Sequence, residues 1–212
     1  MRKLSIPDAV KLQLQESSNV IKRDVVDQGK IKRICGVDVA YRDNKAFSSA
    51  VVVRRDTLDI IDSACVMRKV QYPYVPGLLF LRESEPILAV LKKLKDDYDA
   101  LMVDGHGLLH PRRFGIACYI GVKIDKPTVG VGKSLLCGSI AEREGSQAVL
   151  LDGEIVGAVL KTKGKPIYVS VGHKVSLTDS VRIVRSCLTE EGLKPVVEAH
   201  RQVSRRKWSL SR

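Results

Sequence analysis

The sequence predicts an α/β domain in which one mixed sheet carries helices, and three observations lead to that class. Apolar residues are 44% and charged residues 28% of a 212-residue chain, a globular balance with enough interior for one domain. Three β-rich segments follow one another at short spacing, as in an antiparallel meander. After them helical and strand-like patterns alternate, which is how parallel crossovers are built.

Residues 7–28 set Ala9, Val10, Leu12, Leu14, Val20, Ile21 and Val25 among polar neighbours at roughly helical spacing behind Pro7. This predicts an amphipathic helix, with Ser17-Ser18 the place where it would break. Ile31–Tyr41 and Ala46–Arg54 flank the turn-forming Arg42-Asp43-Asn44-Lys45, and Leu58–Val70 is β-rich again. Two prolines and a glycine in Tyr72-Pro73-Tyr74-Val75-Pro76-Gly77 rule out regular structure there. From Leu78 the pattern is helical, with Pro86 marking a kink or a fresh first turn. Ala100–Asp104 reads as a short buried strand, Arg113–Val122 as a helix and Pro127–Val131 as another buried strand. Residues 147–171 read as further strands, turning at Asp152-Gly153 and breaking at Gly164-Lys165-Pro166. Thr178–Glu191 is helical, with a polar start suited to capping. The order of three antiparallel strands, helix, strand, helix, strand fits a ribonuclease-H-like mixed sheet in which parallel strands follow the meander and helices flank it. Other α/β sheets share that order. We expect one domain over 1–212, with an N-terminal helical extension (about 1–30) and a basic C-terminal tail (about 195–212).

Thirty-six Lys and Arg against 24 Asp and Glu leave a formal charge of +12, which points to a polyanionic partner, nucleic acid before a membrane surface. No stretch approaches the roughly 18 uninterrupted apolar residues of a membrane span. The basic N-terminus lacks an apolar block of signal-peptide length. Cys35, Cys65, Cys118, Cys137 and Cys187 are odd in number and contain no C-x-x-C pair, so reduced thiols in a cytoplasmic protein are expected. A monomer is expected, and no protein-partner motif is visible.

Asp38 sits inside the apolar run Cys35-Gly36-Val37-Asp38-Val39-Ala40, where an ionised carboxylate is costly unless paired or metal-bound. A solvent-facing strand residue is the equal alternative. Asp104 ends a buried strand ahead of Gly105-His106-Gly107, and ligand sites in open α/β sheets gather at the carboxyl ends of strands; the plain alternative is a turn cap. Glu83, alone, reads as a solvated helix residue. Grouped with Asp38 and Asp104 it completes three carboxylates suited to hard divalent cations, magnesium first, which activate water and stabilise a leaving oxygen in phosphodiester cleavage. Lys133, in Val129-Gly130-Val131-Gly132-Lys133-Ser134, is not part of a P-loop, because Pro127 stands where that motif needs glycine; it is a phosphate contact or an idle surface lysine. His173 follows a strand and either supports a metal or water, or is a satisfied structural residue. His110-Pro111-Arg112-Arg113 places two cations where a helix is expected to start, a setting that attracts anions.

The runs Gly36-Val37-Asp38-Val39, Pro73-Tyr74-Val75-Pro76-Gly77-Leu78-Leu79, Phe80-Leu81-Arg82-Glu83, Val103-Asp104-Gly105-His106-Gly107, His110-Pro111-Arg112-Arg113-Phe114-Gly115 and Gly172-His173, in this order over about residues 30–190, closely resemble endonuclease V. The resemblance implies a ribonuclease-H-like fold and a magnesium-dependent nuclease, with Mn2+ able to substitute, that nicks DNA at the second phosphodiester bond 3′ to deoxyinosine. It implies an acidic metal site of Asp38, Glu83 and Asp104, with Lys133 on the phosphate near the cut and His173 supporting metal or water. It further implies a hypoxanthine pocket around Gly77, Leu79, Gly105, His110, Gly115, Ile116 and Leu136. Pro73-Tyr74-Val75-Pro76 would be the wedge that holds the stack open, and Arg112 a nucleic-acid contact. Backbone groups in a tight pocket tell hypoxanthine from adenine because the wrong base leaves buried partners unpaired, and the base must leave the stack to enter it. Two other classes compete: a non-catalytic basic nucleic-acid-binding protein, resting on the charge, and a general ribonuclease-H-type nuclease without interest in inosine.

Overall fold

The structure, a computed structural model, describes residues 3–143 and 145–209, the side chains of 143 and 207–209 excepted. Helix α1 (Ile6–Glu16) is followed by a short 3-10 turn at Ser17–Asn19. Then come β1 (Arg33–Arg42), β2 (Lys45–Arg54), β3 (Ile60–Lys69), α2 (Leu79–Leu91), β4 (Ala100–Asp104), α3 (Ile116–Ile124) and β5 (Thr128–Gly132). Strands β6 (Ser139–Arg143), β7 (Ser146–Leu151), β8 (Glu154–Leu160) and β9 (Ile167–His173) precede α4 (Leu177–Ser186), the small hairpin β10 (Leu188–Thr189) and β11 (Gly192–Leu193), and α5 (Lys194–Ser209).

Nine strands form one sheet in the order β3-β2-β1-β4-β5-β9-β8-β7-β6. The meander β1–β3 is antiparallel, β4 lies parallel to β1 and β5 parallel to β4, and β9 returns antiparallel to β5. The expected mixed sheet, three antiparallel strands followed by parallel ones with helices on it, is therefore what the chain forms. Alternation assigns the faces. Cys35, Val37, Leu101 and Val103 pack with Phe80, Ile87, Ile116 and Ile120 of α2 and α3, while Ile34, Ala100 and Met102 pack with Ile183, Val184, Val196 and Ala199 of α4 and α5.

Several boundaries differ from expectation. The first helix stops at Glu16, breaking at Ser17-Ser18 as expected, but it does not resume over the rest of the stretch to residue 28. Pro86 stands buried within an unbroken α2. The helix expected from Arg113 starts only at Ile116, behind Gly115 as its N-cap. The helix expected to reach Glu191 ends at Ser186, because Gly192 (φ 118) folds residues 188–193 into a hairpin. Strand β6 escaped notice because its partly exposed, charged sequence lacks a clean alternation.

The basic tail is largely a docked helix. Val196, Ala199 and Val203 of α5 are buried against the sheet, and Gln202 accepts a hydrogen bond from the Ser49 hydroxyl on β2 at 2.8 Å. Residues 210–212 of that tail lie outside the described residues. The close approach depends on Gly36: a Cβ there would lie 2.4 Å from the Pro195 carbonyl carbon. Among the described residues no helix is long and apolar enough to cross a membrane.

Gly36→Ala forces α5 and β1 apart, and overpacking of this kind costs about 1–3 kcal/mol. The urea midpoint should fall accordingly with an unchanged slope; an unaltered midpoint would show that α5 is not held as tightly as described.

Candidate active site

The parallel pairing of β1 with β4 sets the site. Its last paired residues are Val37 and Val103, so Asp38 and Asp104, one residue further on, stand level on neighbouring strands. Strand spacing puts their backbones about 5 Å apart, and both lie on the α5 face by alternation with Gly36 and Met102. Asp38 is buried at 8% exposure. Burial first, and then the nearby Asp104, raise its proton affinity, while a 2.7 Å hydrogen bond with His200 Nδ1 on α5 opposes the rise.

Glu83 reaches the same region from α2. Burial pushes its carboxyl up to about 8, repulsion from Asp38 and Asp104 adds to the shift, and a hydrogen bond donated by the Tyr41 hydroxyl (3.1 Å) works against it. Arg82 covers the Tyr41 ring at 3.9 Å from its centroid. Lys133, just beyond β5, forms an ion pair with Asp104 Oδ2. Its ammonium is mostly exposed. Burial lowers its proton affinity, but Asp104, Asp38 and Glu83 outweigh that and raise it.

Three carboxylates are hard oxygen donors of the kind that hold magnesium or manganese. They fit such an ion by charge, and the Lys133 ammonium stands in for a cation among them. They do not form a ready cage. Among the described residues no three His, Cys, Asp or Glu side chains are placed to ligate one ion. Each carboxylate is turned toward a protein partner: Asp38 to His200, Glu83 to Tyr41 and Asp104 to Lys133. Taking up an ion requires those side chains to turn, Lys133 foremost.

His173 does not join them. It pairs with Thr128 at the start of β5, whereas Asp104 pairs with Val131, an offset of roughly 10 Å along the strands at 3.3 Å per residue. It is a buried structural residue. Its Nδ1 accepts from the Ile21 amide at 3.3 Å, and its Nε2 lies 3.4 Å from Asp125 Oδ1.

The other candidate residues gather on the α2/α3 side. Gly105 has φ 156, and a Cβ on it would meet Ile116 at 2.5 Å and Leu79 at 3.8 Å, so these three touch. Gly115 lies against the His106 carbonyl. Tyr74 is 63% exposed on the irregular loop with Pro73 and Pro76. Leu136 is exposed in the segment after Lys133. The expectation for His110-Pro111-Arg112-Arg113 needs correction: the helix begins later, and both guanidiniums are committed internally. Arg112 donates to the Gly77 carbonyl (2.7 Å) and to Gln13 Oε1 (2.6 Å), and Arg113 donates to the Leu151 carbonyl (2.6 Å). His110 is buried, with Nδ1 accepting from the Arg112 amide and Nε2 therefore donating to the Gly77 carbonyl at 3.0 Å.

Four residues around the site went unread in the sequence: His200, Tyr41, Arg82 and Gln13. His200 lies within the apolar spacing Val196, Ala199, Val203, and Gln13 falls on the Ala9 face of α1. Both periodicities were visible signals.

A family model described as Endonuclease V matches residues 15–201. Endonuclease V of Thermofilum pendens is 42% identical over 193 residues, covering 90% of this chain and 82% of that one. The crystal structure of endonuclease V from Streptomyces avermitilis superposes with a TM-score of 0.87 at 31% identity, covering 98% and 95% of the two chains. A variant of Ciona intestinalis endonuclease V, solved with a 23mer DNA containing an inosine followed by a ribo-adenosine, gives 0.84 at 25% identity, with 95% and 96% covered.

Burial lowers the His110 pKa from 6.5 to about 4, so the folded state holds fewer protons than the unfolded chain between those values. Stability from this residue is complete above pH 6.5 and is lost as pH falls toward 4. Between pH 7 and pH 5 the wild type should lose about 2 kcal/mol more than His110→Asn in urea unfolding, a difference in which the opposite contribution of Glu83, raised to about 8, cancels; identical pH slopes in the two proteins would contradict the buried neutral imidazole.

Proposed function

The chain belongs to the endonuclease V family, and on that footing we propose that it is a metal-dependent DNA repair endonuclease that recognises deoxyinosine and hydrolyses the second phosphodiester bond on its 3′ side. The observation that carries this reading is the placement of Asp38 level with Asp104 at the ends of paired parallel strands, with Glu83 close enough to feel both. A pure binding module has no use for one buried and two half-buried carboxylates set so close together, since their repulsion destabilises the fold unless a cation relieves it. A relative of the same fold solved with a DNA containing an inosine followed by a ribo-adenosine supports inosine as the recognised base over a plain ribonuclease-H-type hybrid.

In this reading Asp38, Glu83 and Asp104 hold Mg2+, with Mn2+ as a substitute. When bound, the ion supplies positive charge for the phosphodiester and lowers the cost of ionising water. His200 and Tyr41 orient Asp38 and Glu83 through their hydrogen bonds. Lys133, exposed and able to leave Asp104, contacts the phosphate beside the cut. The extruded base is received beside Leu79, Gly105 and Ile116, where Ile116 packs over the bare Gly105 backbone and must give way to admit it. Tyr74, on its exposed loop, fills the opened stack. His173 takes no part. Five free thiols accord with work in the reducing cytoplasm.

Matched DNA and RNA oligonucleotides carrying one inosine, incubated with Mg2+ or with chelator, test the reading. The DNA should be nicked only with metal, and Asp38→Asn or Asp104→Asn should cost at least about a hundredfold in rate. Undiminished nicking by both variants would remove the metal site. Tyr74→Ala should lose discrimination for inosine more than it loses nonspecific nicking; equal losses would contradict the wedge.

A further inference from the structure

The N-terminal helix has no role in the chemistry above, yet it carries a fully buried glutamine. Gln13 and Ala9, one turn apart, are the two buried positions of α1. A buried amide is costly unless every polar atom is satisfied, and Gln13 is satisfied entirely by other segments. Its Nε2 donates to the Gly77 carbonyl (3.1 Å) and the Phe114 carbonyl (2.7 Å), and its Oε1 accepts from Arg112 Nε. Three donors, from Gln13, Arg112 and His110, thus converge on the one carbonyl that ends the 73–76 loop. Gly77 itself has φ 74, and a Cβ there would lie 2.9 Å from Arg112 Nη2. The other end of the loop is gripped as well: the Leu4 amide donates to the Tyr72 hydroxyl at 2.7 Å. The segment 4–13 therefore spans both ends of a loop whose tip, Tyr74, is free in solvent.

We propose that α1 is a brace for this loop and that Gln13 is a positioning residue for base discrimination, holding Tyr74 and the Gly77 side of the pocket in register. The role rests on the reading of the 73–76 loop as a wedge for an extruded purine, but the bracing itself can be measured without any substrate.

The test compares the full-length chain with Gln13→Met, nearly isosteric but unable to make the three bonds, and with Tyr72→Phe, which removes a single hydroxyl at the other end of the loop. Hydrogen exchange of the amides at 74, 75 and 77–79 should quicken at least fivefold in Gln13→Met, while exchange in β1 and β4 stays within twofold. On an inosine oligonucleotide, assayed well below each variant's melting temperature, KM should rise at least fivefold with kcat within twofold, and nicking of inosine-free DNA should be unchanged. Tyr72→Phe should move the same readings in the same direction by less. Unchanged loop exchange in both variants would overturn the brace, and equal losses of inosine-directed and nonspecific nicking would overturn the part of Gln13 in discrimination. A wild-type chain with no preference for inosine, together with a loop that does loosen in Gln13→Met, would overturn the wedge reading and leave α1 a brace without a part in discrimination.

Discussion

Two carboxylates that should repel each other are held side by side because β1 and β4 pair in parallel, and the rest of the site follows from that register. Asp38 and Asp104 come level one residue past the last ladder contact, on one face, about one strand spacing apart. A slip of one residue would turn one of them to the opposite face. The parallel register is in turn enforced by the alternating apolar residues that bury one set against α2 and α3 and the other against α4 and α5.

The burden of that arrangement is spread over neighbours from distant parts of the chain. His200 reaches Asp38 only because α5 lies close on β1, which the bare backbone at Gly36 allows. Tyr41 reaches Glu83 from the opposite face of the same strand, and Lys133 reaches Asp104 from the end of the next parallel strand. The site thus straddles the carboxyl edge of the sheet, fed from both faces. The irregular loop and the glycines at 77 and 105 stand on the α2/α3 side.

Much of this was legible in the residues. A carboxylate embedded in an apolar strand, and another ending one, are costly enough to announce a site, and both strands formed where periodicity put them. Glu83 was not legible alone, since a helical Glu has a cheap solvated alternative; its place came from the motif it shares with a family. His173 was misassigned because a glycine-histidine pair after a strand says nothing about which way the strand runs, and β9 runs antiparallel to β5, which carries its end to the far edge of the sheet. His200 was hidden by composition. Its surroundings read as a basic tail, although Val196, Ala199 and Val203 already had the spacing of a buried helical face. Gln13 likewise sat on the apolar face beside Ala9, where a polar side chain signals a partner far away in sequence.

The central claim of the proposed function is that Asp38, Glu83 and Asp104 hold a divalent cation once they turn from His200, Tyr41 and Lys133. Titrating Mn2+ into the DNA-free chain, with free ion read by electron paramagnetic resonance, addresses this most directly. The account predicts saturable binding that weakens at least about tenfold in Asp38→Asn and in Asp104→Asn. Binding of equal strength in wild type and both variants, or none in any of them up to millimolar ion, would contradict it.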